Sequence, residues 1–350
     1  MADKSVQLYL VSTIALTLVL LHYITFYHLM SKSHDTKFTK PDNPGWDCWY
    51  LTGPTASGKT SIGIPLAEEL DAEIISLDSM AVYRELDVGT AKPTDEERMI
   101  VRHHMIDVVD PNDDYSLAQY VTGAYEAIRD IKRRGKQVLF VGGTPLYLKA
   151  MLRGIFAGPP ADPKLRKELQ NKSLKASPDF LHKELKKYDP VSAERLHPND
   201  TKRLIRAIEV FRNTGIPISD WQRQFEQPAP PSRCKVIVLD WPRDELYERI
   251  NRRVDFMIDN GFLDEVQQLT KRFLPISHTA AQAVGYKELF DYLDKKMTLH
   301  QTVETIKQNT RQFAKRQMTW FRSIEECQFF PMQAKTAKLQ IVEQVKTLFN

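Results

Sequence analysis

Short apolar runs that alternate with helical patterns dominate the chain from residue 49 onward. The runs typical of buried strands are Trp49–Leu51, Ile74–Leu77, Ile106–Val109, Val138–Val141 and Lys235–Leu239. The first four each precede a stretch with helical periodicity, and the helix from about Ser116 to Arg134 has a stop signal in Gly135. Strands that alternate with helices form parallel sheets, so the pattern predicts an α/β fold with crossover helices.

A second pattern begins after Gly154. The segment 155–230 carries helical patterns, many charges and few β-branched runs, and proline-rich turns flank it at both ends. We therefore expect a helical insertion at 155–230 between two parts of the core, residues 47–154 and 231–350. Only helices are predicted after the last strand, and the final one is expected near Lys335–Phe349.

The first 46 residues form a separate region. The run Leu8–Met30 is almost wholly apolar, contains no Asp, Glu, Lys or Arg, and is long enough to cross a bilayer. Two interpretations stay open: a membrane anchor whose following lysines keep the rest of the chain in the cytoplasm, or translation that starts at Met30. Both predict a cytoplasmic catalytic part. Residues 31–46 are polar, contain prolines and are typical of a linker.

Composition limits the class of protein. Of the 350 residues, 42% are apolar and 27% are charged, which excludes a disordered chain. The formal net charge of +4 is too small to indicate a nucleic-acid partner, so the position of the basic residues matters more than their number. Cys48, Cys234 and Cys327 lie far apart, and this spacing suggests neither a zinc site nor a disulfide framework.

The strongest local signal is an uninterrupted G-x-x-x-x-G-K-T motif between the first predicted strand and a helix. Its residues are Gly53, Pro54, Thr55, Ala56, Ser57, Gly58, Lys59 and Thr60. Backbone amides and a helix N-terminus cradle phosphate in such a loop, while Lys59 supplies a charge and Thr60 can bind Mg²⁺. The ligand therefore carries a diphosphate or more. The loop alone does not select the reaction, and on base rates a kinase or an ATPase is the first interpretation. The specific alternative that stays open is a small-molecule kinase that uses ATP.

Four further segments resemble the tRNA dimethylallyltransferase (tRNA isopentenyltransferase) family. They are Ser76–Ser79 with Tyr83 and Asp87–Pro93, Gly142–Tyr147, His197–Asp200 with Arg203 and Arg206, and Gln282–Lys287 with Gln312, Lys315–Gln317 and Trp320. The resemblance runs in order from about Tyr50 to Trp320. With no zinc-binding tail after Asn350, the chain is similar to the bacterial type.

This resemblance implies a P-loop NTPase-like α/β core and transfer of a dimethylallyl group from its diphosphate to an adenosine amine beside the anticodon of tRNA. The loop would then hold the donor diphosphate, with Mg²⁺ as cofactor. Asp78 would act as general base, although an aspartate that ends a strand in a P-loop protein is usually a carboxylate that orients Mg²⁺. Thr144 would position the reacting groups. Arg253 would bind the diphosphate. Which of Arg249, Arg252 and Arg253 matches the diphosphate-binding arginine of the family stays open.

The resemblance also implies a set of tRNA contacts. The expected residues are Asp78, Ser79, Met80, Ala81, Arg166, Lys202, Arg203, Leu204, Ile205, Arg206, Gln282, Tyr286 and Lys287. Tyr286 is expected to stack on an extruded base. Some family members carry arginines in place of Gln282 and Lys287, and lysine cannot form the bidentate contact of an arginine. We expect a monomer. The rivals are a prenyltransferase of free adenine nucleotides and a nucleotide-switch or RNA-binding module without turnover.

Overall fold

A computed structural model describes residues 43–155, 158–223 and 228–349. The apolar run Leu8–Met30, predicted as a candidate membrane anchor, lies outside these ranges. Inside them, no helix combines the length and the apolar character that crossing a membrane requires.

A six-stranded sheet forms the centre of the described part of the chain. Its strands are β1 (Cys48–Thr52), β2 (Ala72–Ser76), β3 (His103–His104), β4 (Gln137–Gly142), β5 (Cys234–Asp240) and β6 (Cys327–Pro331). The strand order is β3-β2-β4-β1-β5-β6, and every neighbouring pair is parallel. The predicted α/β fold with a parallel sheet is therefore confirmed.

Helices follow most strands and cover the sheet. They are α1 (Lys59–Glu69), α2 (Asp95–Ile100), α3 (Leu117–Arg133), α4 (Pro145–Arg153), α5 (Pro163–Lys175), α6 (Phe180–Tyr188), α7 (Pro190–Arg195), α8 (Thr201–Thr214), α9 (Ile218–Gln222), α10 (Arg243–Asp259), α11 (Phe262–Arg272), α12 (His278–Ala281), α13 (Tyr286–Leu293), α14 (Leu299–Arg322) and α15 (Lys338–Phe349). Side chains alternate between the two faces of a strand, so Tyr50 packs in one core and Leu51 in another. Helices on both faces keep the central strands dry.

Two strand predictions differ from the structure. The run Ile106–Val109 is not a strand, because Asp107 has a positive φ of 57° and its carboxylate accepts hydrogen bonds from Lys92 and Arg98. Strand pairing in this region is limited to His103–His104, and Val109 makes only an isolated parallel bridge to Tyr83. Strand β6 was missed because it is a short edge strand that pairs only with β5, so it lacks the continuous apolar run of a central strand.

The expected helical insertion consists of α5 to α9, and these helices enclose a hydrophobic cluster of their own. A fully buried carboxylate, Glu209, lies beside this cluster. It accepts hydrogen bonds from Arg166 at 2.8 and 2.9 Å, from Arg206 at 2.6 Å and from the amide of Asp162 at 2.7 Å. This node fixes the first helix of the insertion against α8.

Candidate functional site

A single cleft collects the residues that follow three adjacent strands. The P-loop follows β1, Asp78 follows β2, and the Gly143–Thr144 turn follows β4. Parallel strands end at the same edge of a sheet, which brings these segments together. The cleft has a volume of about 1130 Å³, and Arg253 of α10 and Gln282 also line it.

Lys59 lies inside the P-loop and is held by the loop itself. Its Nζ donates to the carbonyls of Gly53 at 3.0 Å and Pro54 at 2.7 Å. Gly58, directly before it, has a φ of 91°, a left-handed conformation that favours glycine. Burial and, to a smaller extent, nearby Arg253 lower the pKa of Lys59 to about 7, although Asp78 opposes the shift. A bound anion would reverse this penalty by stabilising the ammonium.

Asp78 lines the cleft, and the backbone holds one of its two carboxylate oxygens. Its Oδ1 accepts hydrogen bonds from the amides of Met80 at 2.8 Å and Ala81 at 3.4 Å. Among the described residues, no group donates a hydrogen bond to Oδ2. The carboxylate is therefore oriented by its own turn and keeps an oxygen that can accept a proton.

Thr144 links its turn to the Asp78 segment. Its amide donates to the carbonyl of Leu77 at 3.0 Å, and its Oγ1 accepts from the amide of Ser79 at 3.0 Å. Although Thr144 precedes α4 as its N-cap residue, the hydroxyl makes no capping bond. The side chain instead fixes the position of the segment that carries the carboxylate.

Gly143 lies where three parts of the site meet, which makes it a test of the packing. A Cβ added there would lie 2.8 Å from Nε2 of Gln317, 3.1 Å from the carbonyl of Gly53 and 3.3 Å from Nζ of Lys59. Gly143→Ala is expected to lower turnover by about 10²-fold, because the loops must move apart. Steady-state rates of Gly143→Ala and of the control Lys149→Ala, exposed on α4, check this expectation. Equal rates for the two variants would contradict it.

The arginines of α10 divide between the cleft and its outer side. Arg253 lines the cleft and donates to the carbonyl of Thr90 at 3.3 Å. Burial lowers the pKa of its guanidinium, and Asp78 partly offsets the shift. Arg249 instead donates to the carbonyl of Ala56 at 2.9 Å, and its guanidinium lies 4.2 Å from the ring centroid of Trp241. Arg252 is exposed. Of the three arginines, Arg253 is therefore the best candidate for binding the diphosphate in the cleft.

The interpretation of Tyr286 as a ring that stacks on RNA is wrong. Its side chain is 1% exposed, its ring packs edge-on against Phe262, and its hydroxyl donates to Glu265 at 2.5 Å. Glu265 also accepts hydrogen bonds from the amides of residues 87–89, which form a wall of the cleft. Tyr286 thus supports this wall through Glu265. Gln282 and Lys287, by contrast, are exposed.

The expected RNA contacts on α8 separate into two groups. Leu204 and Ile205 are buried in the core of the insertion, so the prediction that they touch tRNA is wrong for their side chains. Helical periodicity turns Lys202 and Arg203 to the opposite side, where both are exposed. Arg203 forms an ion pair with Asp200 at 3.2 Å.

Arg166 and Arg206 also differ from the expectation of free basic groups. Both hold Glu209, and Arg206 donates as well to the carbonyl of Pro159 at 3.0 Å. Two guanidinium groups around one carboxylate leave a net charge of one. These arginines therefore fix the insertion and add less positive charge to its surface than their number suggests.

Two residues of the site received no role from the sequence. Gln317 is 4% exposed and joins the P-loop to the Gly143 turn, and Glu265 carries the wall formed by residues 87–89. Gln317 lies within the matched Lys315–Gln317 segment, but a glutamine has no chemical signature of its own. The structure places it on the buried face of α14, which the residue type alone does not indicate.

Comparisons with known proteins agree with this geometry. A family model described as IPP transferase matches residues 81–324. The tRNA dimethylallyltransferase of Pelotomaculum thermopropionicum is 45% identical over 284 residues, which is 81% of this chain and 90% of that protein. The tRNA isopentenylpyrophosphate transferase of Bacillus halodurans has a structure with a TM-score of 0.62 and 38% identity, covering 86% of this chain and 96% of its own. A eukaryotic dimethylallyltransferase acting on tRNA gives a TM-score of 0.72 with 28% identity, covering 84% and 77%.

Proposed function

Because the chain belongs to the IPP transferase family, we propose that it transfers the dimethylallyl group of dimethylallyl diphosphate to the adenosine directly 3′ of the anticodon in tRNA. The relatives and solved structures carry tRNA prenyltransferase names, and tRNA prenylation is the activity of this enzyme. A small-molecule kinase that uses ATP is not favoured. The exocyclic amine of the base is the acceptor, and diphosphate is the other product.

The arrangement around Asp78 carries this proposal. One cleft contains a P-loop with a half-buried lysine, a second half-buried basic side chain in Arg253, and a carboxylate whose Oδ2 receives no hydrogen bond from the described residues. The two cations suit a diphosphate that gains negative charge as it leaves. The carboxylate suits an amine that loses a proton as it attacks. These requirements belong to transfer of an alkyl group from a diphosphate to a nitrogen.

The proposed reaction assigns a role to each of these groups. The amine nitrogen of adenosine forms a bond to the first carbon of the dimethylallyl group, while the bond from that carbon to the diphosphate oxygen breaks. The electron pair of the broken bond stays on the diphosphate, which Lys59, Arg253 and the loop amides stabilise. The amine proton passes to Asp78. Thr144 holds the Asp78 segment through its bond to Ser79, so that the carboxylate meets the acceptor in a fixed position.

The donor set also fits a magnesium ion. Thr60 lines the cleft at the start of α1, and Mg²⁺ commonly binds one or two protein oxygens together with substrate phosphates rather than a full protein cage. Thr60 and the diphosphate would therefore hold the ion. When bound, it neutralises charge on the leaving group.

The exposed pair Lys202 and Arg203 is proposed to contact phosphates of the tRNA. Replacing both by glutamine is expected to lower the slope of log affinity against log salt by about one per lost contact. Binding titrations of tRNA at several salt concentrations check this result. The matched control replaces Lys335 and Lys338, which are exposed in the C-terminal part, and should keep the original slope. An equal slope in both double variants would remove the phosphate role.

A transfer assay tests the proposed function. The protein from Met30 onward is incubated with unmodified tRNA, dimethylallyl diphosphate and Mg²⁺, and the nucleosides of digested tRNA are identified by mass spectrometry. We expect a prenylated adenosine from the position 3′ of the anticodon. A parallel reaction contains a free adenine nucleotide in place of tRNA. If that nucleotide is prenylated while the tRNA stays unmodified, the acceptor is the free nucleotide and not tRNA.

A further inference from the structure

Gln317 is the one described side chain that hydrogen-bonds both the P-loop and the Gly143 turn. Its Oε1 accepts a hydrogen bond from the amide of Thr55 at 2.9 Å, and its Nε2 donates to the carbonyl of Gly143 at 2.6 Å. Both contacts join residues far apart in the sequence. The side chain is 4% exposed, so water does not compete for these bonds.

These two bonds complete a continuous path across the site. Gly143 is followed by Thr144, whose hydroxyl accepts a hydrogen bond from the amide of Ser79. Ser79 directly follows Asp78 in the chain. The path therefore begins at the loop that would hold the diphosphate and ends at the carboxylate that would take the proton. Gln317 links the P-loop to the half of the site that contains Gly143, Thr144 and Asp78. It lies on α14, which belongs to neither half.

We propose that Gln317 is a positioning residue that sets the distance between the donor cradle and the acceptor side of the site. The inference rests on the proposed function, because the distance matters only if a group passes from one half to the other. Reacting atoms must approach to near contact for transfer, and a displacement of about 1 Å can cost about 10²-fold in rate. A hydrogen bond at each end of one rigid amide holds that distance from both sides.

The occupied amide of Thr55 supports a positioning role over direct binding. P-loop amides usually point at the bound anion, yet this one is already satisfied by Gln317. Gln317 thus selects which amides of the loop remain for the diphosphate. Lys59 Nζ and Gln317 Nε2 both lie near the position of a Cβ on Gly143, so movement of Gln317 would also disturb the lysine.

Gln317→Met tests the proposal, because methionine has a similar length and forms neither hydrogen bond. In single-turnover assays with saturating donor and tRNA, the transfer rate is expected to fall by about 10²-fold. The affinity for tRNA is expected to stay unchanged. Gln308→Met, on the exposed face of the same helix, is the matched control and should retain the original rate.

A double-mutant cycle with Thr144→Ala separates positioning from general stability. If Gln317 acts through the turn that carries Thr144, the combined variant should lose far less than the product of the two single losses. Multiplicative losses within about twofold would overturn the proposal, as would an unchanged rate in Gln317→Met. A rate loss that disappears when the rate is expressed per folded molecule would also overturn it.

A second variant covers failure of Gln317→Met to fold. Gln317→Glu keeps the shape and the acceptor for Thr55 but loses, when ionised, the donor for Gly143; Gln308→Glu controls for the added charge. A rate loss only in Gln317→Glu supports the proposal, and equal rates in the two variants contradict it. If the unsubstituted enzyme transfers no dimethylallyl group, the proposed function itself fails. This result is distinct from a failure of the positioning role of Gln317, in which the unsubstituted enzyme is active.

Discussion

Asp78→Asn is expected to lower the rate of prenyl transfer by about 10²- to 10⁴-fold, which is the usual contribution of a positioned general base. Asparagine keeps the size of the side chain and its Oδ1 acceptor for the amides of Met80 and Ala81. The turn therefore stays in place, while the oxygen that accepts the proton is lost. Single-turnover transfer of labelled dimethylallyl groups to tRNA measures the effect.

The affinity for the donor separates this role from metal binding. As a general base, Asp78 is not needed to hold the diphosphate, so Asp78→Asn should bind dimethylallyl diphosphate and Mg²⁺ with little change. A large loss of Mg²⁺-dependent donor affinity, together with nearly full transfer at saturating donor, would instead identify Asp78 as a carboxylate that orients the metal. Leu146→Ala, exposed in the first turn of α4, serves as a control for nonspecific loss.

Donor binding is expected to depend on pH through Lys59. In the free enzyme burial lowers its pKa to about 7, so the side chain becomes neutral as the pH rises above that value. A bound diphosphate stabilises the ammonium and raises the pKa, and binding must then take up a proton. Affinity should therefore fall above pH 7 by up to about tenfold per pH unit, and this group should add no dependence well below pH 7.

Calorimetry in buffers with different ionisation heats measures the proton uptake. Lys59→Arg keeps a cation that stays charged, so the uptake due to residue 59 should vanish while titration of the diphosphate itself remains. Lys59→Met should bind the donor about 10²- to 10³-fold more weakly, because the diphosphate loses the ammonium group that pairs with it. Equal proton uptake by the unsubstituted enzyme and Lys59→Arg at about pH 8 would contradict the assigned role.

Much of the fold and the donor side of the site follows from local sequence signals. The loop from Gly53 to Thr60 has a fixed spacing, lies between a strand and a helix, and uses backbone groups that depend little on the rest of the chain. Asp78 and the Gly143 turn come directly after buried strands, and a parallel sheet brings such ends together. The structure gathers all three segments in one cleft.

Other parts depend on packing that no local signal contains. Tyr286 follows a glycine in a motif typical of an exposed loop, yet its ring lies between Phe262 and Glu265 because α11 and α13 meet there. Arg166 and Arg206 have the spacing and charge of phosphate ligands, but the buried Glu209 engages both. A carboxylate 43 residues away from Arg166 cannot be assigned to it before the insertion is folded.

Transfer with two labels tests the central claim most directly. Donor labelled with ¹⁴C in the dimethylallyl group and with ³²P in the diphosphate is incubated with the enzyme, Mg²⁺ and unmodified tRNA, and a parallel reaction contains ATP labelled in its terminal phosphate. We predict that ¹⁴C enters the anticodon loop, that ³²P is recovered as free diphosphate, and that the ATP label is neither transferred nor released. Phosphate transfer from ATP, with no ¹⁴C in the RNA, would contradict the account and restore the kinase interpretation.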